Sequence, residues 1–232
     1  MTGVELIAAA RKAGCASLDE LSGKRLLAGF AVSVPKSVMV ADAGAATAAI
    51  ANLTPPFVVK VMSPDILHKS DAGCVKIGLQ NSDQVEKAIS AMAALPAIKT
   101  ARVEGYLVEE MAPGGQEIVV GAVRDPDFGP MIMVGLGGIF VEVLADVAFR
   151  ICPITRLDAG EMLDELKGSA ILNGARGRKA VSRDAIMDVL LKIGGEDGLL
   201  MRHAEDFKEA DINPLIVSDT GAVAVDARFI LV

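Results

Sequence analysis

The sequence predicts an α+β or mixed α/β chain, with a smaller lobe to about residue 106 and a larger lobe after it. Three observations point there. Phe57 to Met62 is apolar on both faces apart from Lys60, as a buried strand would be. Two strand-like runs, Gly105 to Met111 and Glu117 to Arg124, are joined by the short connection Ala-Pro-Gly-Gly. Near the end, Ser-Asp-Thr-Gly separates two more such runs, which is a hairpin signal.

Taken in order, Ser17-Leu18-Asp19-Glu20 reads as a capping box opening a helix that ends near Gly29. A short strand follows over Ser37 to Val40, and Asp42 caps an Ala-rich helix finishing near Leu53. After the Phe57 strand comes the loop Ser63 to Gly73, then a strand over Cys74 to Leu79 and an amphipathic helix from Ser82 to about Leu95. In the second half, Pro113 fixes one dihedral beside two glycines that permit positive φ. Strands over Pro130 to Val134 and Ile139 to Leu144 flank Gly-Leu-Gly-Gly, Gly135 to Gly138. Helices are expected over Ala159 to Lys167, Arg183 to Ile193 and Asp197 to Phe207, and the last strands over Ala210 to Val217 and Ala222 to Phe229.

Length and composition narrow the function. At 232 residues the chain can bury a real core, and without Trp and with a single Tyr that core must be Val, Ile, Leu, Ala and Met. No apolar run approaches the roughly 20 residues of a membrane span, and the N-terminus is too charged for a secretory signal. Net charge is −7, and no basic cluster is interleaved with aromatics, which argues against a nucleic-acid groove. The cysteines, Cys15, Cys74 and Cys152, are odd in number and lack metal-ligand spacing, so they read as small apolar residues in a reducing cytoplasm.

Chemistry concentrates in a few places. Lys60 lies inside an apolar strand, and burying its ammonium without an anion would cost several kcal/mol. The anion is either a structural carboxylate or a bound phosphate. In the next loop His68 is flanked by Lys69, Ser70 and Asp71; a neutral imidazole can act as base, metal ligand or phosphoryl acceptor. The other histidine, His203, lies in a charged helical stretch where exposure is expected. Gly135 to Gly138 follows neither the Walker nor the dinucleotide glycine pattern, and reads equally as a tight bend or a ligand contact. Strand alternation sets Asp211 and Asn213 on one face, and across the hairpin Asp226 can meet them. Carboxylates with an amide oxygen suit Mg²⁺, although a solvated hairpin end is the plain alternative.

In combination these stretches resemble the ATP-grasp module of nucleoside-diphosphate-forming acyl-CoA synthetases, the β subunit of the ADP-forming acetyl-CoA enzyme. FVVKVMSPDILHKSDAGCVKIGL, GYLVEEMAPGGQEIVVGAVRDPDFGP through MVGLGGIFVEVLADVAFRICPI, and ADINPLIVSDTGAVAVDARFIL carry the resemblance, from about Leu18 to the end. The final stretch is also similar to succinyl-CoA synthetase β subunits. The resemblance implies one ATP-grasp module over residues 1–232, with lobes 18–106 and 107–232 and the nucleotide cleft between them. It implies ATP or ADP and Mg²⁺ as cofactors. Lys60 then matches the lysine that binds nucleotide phosphates. Glu109, with backbone near Met111 and Ala112, matches the hinge that reads the adenine edge, and Glu117 the acid at the ribose hydroxyls. Asn213 and Asp226 match the magnesium ligands, with Asp211 beside them. His68 matches a transiently phosphorylated histidine, and Arg150 is a candidate phosphate contact.

No CoA-binding Rossmann segment is recognisable, so the resemblance implies a CoA- and acyl-binding α subunit as partner, or a missing fusion domain, in a cytoplasmic hetero-oligomer. Two other readings stand beside it. One is an ATP-grasp carboxylate ligase that forms its acyl phosphate directly and does not need His68. The other is a non-catalytic nucleotide sensor.

Overall fold

β-branched and apolar residues at period two build two separate antiparallel sheets in this chain, seen in a computed structural model that describes residues 2–66, 69–138, 141, 143–174 and 179–232. Two compact units result, one of residues 35–112 and one of residues 1–34 with 113–232.

The 35–112 unit holds a four-stranded sheet. Its strands are β2 (Ser37–Val40), β3 (Phe57–Met62), β4 (Val75–Leu79) and β5 (Gly105–Glu110), in the order β2-β5-β3-β4. Helix α4 (Ser82–Ala93) covers it, because Val85, Ala88, Ile89 and Met92 recur on one helical face and are all buried. Asn81 starts that helix by accepting the Gln84 N–H at 3.0 Å. Asp42 does cap the Ala-rich stretch, but it opens a 3₁₀ turn before the four-residue helix α3 (Ala46–Ala49). A short helix α5 (Pro96–Thr100) begins on Pro96, where the missing N–H costs nothing.

The other unit is built on a seven-stranded sheet. Its strands are β1 (Ser17–Leu18), β6 (Gln116–Asp125), β7 (Gly129–Leu136), β8 (Val147–Ile151), β9 (Phe207–Val217), β10 (Ala222–Ala224) and β11 (Arg228–Leu231). The order is β1-β11-β9-β6-β7-β8, with β10 also on β9. Helices α6 (Arg156–Glu165) and α7 (Arg183–Gly194) bury one sheet face, in a core that includes Ile132, Val134, Met162, Leu163, Ile186 and Leu190.

Several expectations change. Residues 18–34 belong with the C-terminal unit, and the division falls after Ala112 rather than at 106. Strand pairing is the reason: Ser17 and Leu18 pair with Ile230 and Phe229, so they form β1 rather than the start of a capping box. Asp19 is the actual N-cap of α2 (Glu20–Gly29), accepting the Ser22 N–H at 2.9 Å. An additional helix, α1 (Gly3–Lys12), precedes it behind a Thr2–Glu5 capping box. Helix α8 (Leu199–Arg202) is a single turn, because Phe207 already pairs with Leu231 at the start of β9. The expected strand Ile139 to Leu144 falls partly outside the described residues, and Val141, Val143 and Leu144 are not in a strand; β8 supplies the third strand instead. Gly114 and Gly115 do not adopt positive φ. Gly115 serves close approach, since a Cβ there would lie 2.3 Å from the Val217 carbonyl oxygen.

His203 is buried rather than exposed. It is 8% accessible, its Nδ1 lies 2.8 Å from an Asp206 carboxylate oxygen, and Phe30 and Phe207 flank its ring. Packing accounts for it. All three cysteines are free, with Cys74 and Cys152 buried and Cys15 exposed. Burial pushes the Cys152 thiol up to about 12. Iodoacetamide at pH 8 should therefore label Cys15 alone in the folded protein and all three only after unfolding, as read by peptide mass mapping.

Candidate functional site

In the 35–112 unit the sheet register decides where Lys60 goes. Val58 lies opposite Glu109, so Lys60, two residues on, shares that sheet face with Glu109. Lys60 Nζ sits 3.0 Å from Glu109 Oε2, and both side chains are almost wholly enclosed. The anion demanded by a buried ammonium is thus a carboxylate of the neighbouring strand. Glu109 thus sets its carboxylate against Lys60, and the backbone expected to read the adenine edge follows in the next residues. There, the Met111 N–H donates to the Pro56 carbonyl at 2.8 Å, and Met111 is exposed. Glu110, to which the sequence assigned no role, accepts the Thr54 N–H at 2.9 Å and pins that same stretch.

In the other unit a bulge shapes the metal candidates. Ile118 pairs with Leu215 and Val120 with Ile212, so Asn213 and Pro214 both face Val119. Pro214 has no N–H to continue the ladder, and the Asn213–Pro214 peptide is cis. The partner strand breaks at the same level, between β10 and β11, where the Val225 N–H reaches the Pro214 carbonyl at 3.1 Å. Arg228 pairs with Asp211, and extending that register sets Asp226 level with Asn213. Asp226 accepts the Ala227 N–H at 2.8 Å. Helix α2 presses on this break, for a Cβ at Gly23 would fall 2.8 Å from the Ala227 carbonyl oxygen.

The charges here register on Asp211. Burial, then the negative charges of Asp226 and Glu209, push its carboxyl above the usual range, while Arg228 opposes them. Two mutually repelling carboxylates beside an exposed amide oxygen are a donor set that a hard divalent cation would stabilise, and Mg²⁺ fits it. Among the described residues no three His, Cys, Asp or Glu side chains converge on a metal point, so Asn213 is needed to complete the set.

The remaining candidates separate. Glu117 is exposed on β6, and its carbonyl accepts the Gly137 N–H at 2.8 Å. Gly137 has to be glycine, because a Cβ would stand 2.8 Å from the Glu117 Cβ; that part of the glycine run is close packing. Arg150 pairs with Ile132, which puts it on the helix-covered face of the sheet, away from Asp211. Its guanidinium makes a bidentate pair with Glu165 at 2.5 and 3.0 Å and also meets Glu161, tying β8 to α6. The structure thus shows the Arg150 guanidinium paired with acids of α6. His68 lies outside the described residues. The sequence also passed over the buried Lys24–Glu20 pair of α2, 2.7 Å apart, whose i, i+4 spacing was the available signal.

Two antiparallel sheets with a lysine on one and acid and amide donors on a broken strand pair of the other are the parts of an ATP-grasp module. The ATP-grasp domain family matches residues 9–231. The β subunit of ADP-forming acetate–CoA ligase I from Pyrococcus furiosus is 41% identical over 216 residues, covering 92% of this chain and 91% of that subunit. The ADP-forming acetate–CoA ligase I of Archaeoglobus fulgidus is 46% identical over 177 residues, covering 76% of this chain but 25% of that longer protein. Among solved structures, acetyl-coenzyme A synthetase 1 of Ca. Korarchaeum cryptofilum with coenzyme A and Ca-AMPCP superposes with a TM-score of 0.91 at 36% identity, covering 98% of this chain and 99% of that one. A second structure of that synthetase holds Mg-AMPPCP and has a phosphohistidine segment pointing towards the nucleotide-binding site. The chain belongs to the ADP-forming acyl-CoA ligase family of ATP-grasp enzymes.

Proposed function

We infer that this chain is the nucleotide-binding subunit of an ADP-forming acyl-CoA synthetase, an acid–thiol ligase that converts acid, CoA and ATP reversibly to acyl-CoA, ADP and phosphate. The observation that carries the nucleotide half of this reading is the Asp211, Asn213 and Asp226 cluster, formed where a bulge and a strand break meet. Coverage of nearly the whole of a free-standing β subunit supports the rest.

In this reading Lys60 contacts the nucleotide phosphates. Backbone at Met111 and Ala112 reads the adenine, with Glu109 holding Lys60 in place, and Glu117 meets the ribose hydroxyls. Asp226, Asn213 and Asp211 would hold Mg²⁺, which when bound neutralises phosphate charge. His68 is the carrier: an imidazole nitrogen attacks the γ-phosphorus, the bond to the ADP oxygen breaks, and the phosphoryl group stays on the ring until a second acceptor removes it. Acyl and CoA binding belong to a separate α subunit, or to further domains of a longer chain, and the assembly works in the cytoplasm. No helix among the described residues is long and apolar enough to cross a membrane.

Calorimetric titration of the chain with ATP, with and without Mg²⁺, tests the nucleotide half. Mg²⁺ should tighten binding in the native chain and have no effect in Asp226→Ala. A chain that binds no nucleotide in either condition would return the reading to a degenerate fold.

A further inference from the structure

Helix α2 encloses two full charges. Glu20 and Lys24, four residues apart, meet at 2.7 Å with both side chains 2% accessible. Taking two charges out of water costs about as much as such a pair returns, and apolar residues of similar volume often serve stability as well. Their place on the helix supplies a better reason for them. Glu20, Gly23, Lys24 and Leu27 recur at helical spacing and are all buried, so they share the covered face of α2. Gly23 shows what covers that face: a Cβ there would lie 2.8 Å from the Ala227 carbonyl oxygen and 3.2 Å from the Phe229 ring.

The sheet ladder lapses beneath this face, at Asp226. β10 pairs with β9 as far as Ala224 and Leu215, and β11 resumes at Arg228 and Asp211. Between them the Val225 N–H reaches the Pro214 carbonyl at 3.1 Å, and the Asp226 carboxylate turns back on the Ala227 N–H. Further anchors come from the N-terminal segment. The Ser33 carbonyl, four residues after α2, accepts the Ala224 N–H at 2.9 Å, and Ser17 and Leu18, just before α2, pair with Ile230 and Phe229. Residues 17 to 33 thus grip the break at both ends, with α2 between the two grips. An ammonium carries three N–H donors, one of which Lys24 points at Glu20 Oε1. At 2% exposure little is left for bulk water, and the break is where backbone carbonyls leave the ladder.

We propose that Glu20 and Lys24 are positioning residues for Asp226. Glu20 steers the Lys24 ammonium onto the carbonyls of the break, and the break so braced keeps the Asp226 carboxylate in place for Mg²⁺. The proposal rests on the magnesium role inferred above. A charge-assisted hydrogen bond is directional where apolar contact is not, which is the reason for a charged pair at this place. Gly23, with no side chain, lets the helix come close enough to the Ala227 backbone for that reach.

The test measures ATP affinity by calorimetry, with and without Mg²⁺, in the native chain and in Glu20→Gln/Lys24→Met. That double variant removes both charges at similar volume and strands neither. The ratio of the two affinities reports on the metal ligands, whereas lost stability moves both affinities together. The double variant should keep the native ATP affinity without Mg²⁺ and lose roughly 10-fold or more of the ratio, the scale on which residues behind metal ligands act. Glu20→Asp, which keeps both charges with one methylene less, is the milder arm and should lower the ratio in the same direction. Ile186→Ala, a core truncation on α7, should lower the urea midpoint and leave the ratio intact. A ratio lost in Asp226→Ala but intact in the double variant would overturn this proposal and leave the magnesium reading standing. A native chain whose ATP affinity ignores Mg²⁺ would overturn both. A ratio that falls as far in Ile186→Ala would also overturn the positioning role, because lost stability would then account for the effect.

Discussion

His68→Ala is expected to abolish acyl-CoA synthesis with the partner subunit present, by at least about a thousandfold, which corresponds to roughly 4 kcal/mol in the barrier. The argument is one of steps. A phosphoryl group that must pass between a nucleotide and an acceptor on another chain needs a carrier, and a neutral imidazole is nucleophilic near pH 7. Nucleotide affinity should be unaltered, because binding uses other groups. Incubation with γ-labelled ATP should give acid-labile, base-stable label that maps to His68 and is absent from the variant. Full activity in His68→Ala would favour a ligase that forms its acyl phosphate directly.

Lys60→Met should lose ATP binding and also stability, and the two effects can be separated. Glu109 is almost fully buried against Lys60, and removing one member of such an ion pair costs about 3–5 kcal/mol by stranding the other charge. Adding Glu109→Gln to Lys60→Met removes that charge, and the midpoint of urea unfolding should recover most of the loss. Nucleotide affinity should not recover, because the cation that meets phosphate is still missing. Recovery of both would make Lys60 a purely structural residue.

Legibility in the sequence followed the range over which a signal acts. Phe57 to Met62 emerged as a strand with those same ends, since an apolar run between prolines and a polar loop is a local signal. Ser17 and Leu18 did not, because the strand they pair with lies more than two hundred residues away in the chain. The exposure of His203 was misjudged for a related reason. Its charged sequence neighbours are local, as is Phe207, but the ring that closes over its other side is Phe30, from near the start of the chain. The stretch around Arg150 did not announce its acid partner either, because the sheet register is what turns it to the helix side and to Glu165.

By itself the sequence determined that Lys60 needs an anion, that Asp211 and Asn213 share a strand face, and that His68 stands beside two charged residues and a serine in a loop where an imidazole can be base, metal ligand or phosphoryl acceptor. Residue type and strand periodicity suffice for those statements. Only the tertiary structure decided that the anion beside Lys60 is Glu109, that Asp226 comes level with Asn213 through the β9–β11 register, and that Arg150 meets Glu165. Each of these depends on which strands become neighbours. Pairing energies are shared over whole sheets, so no single stretch of sequence specifies them.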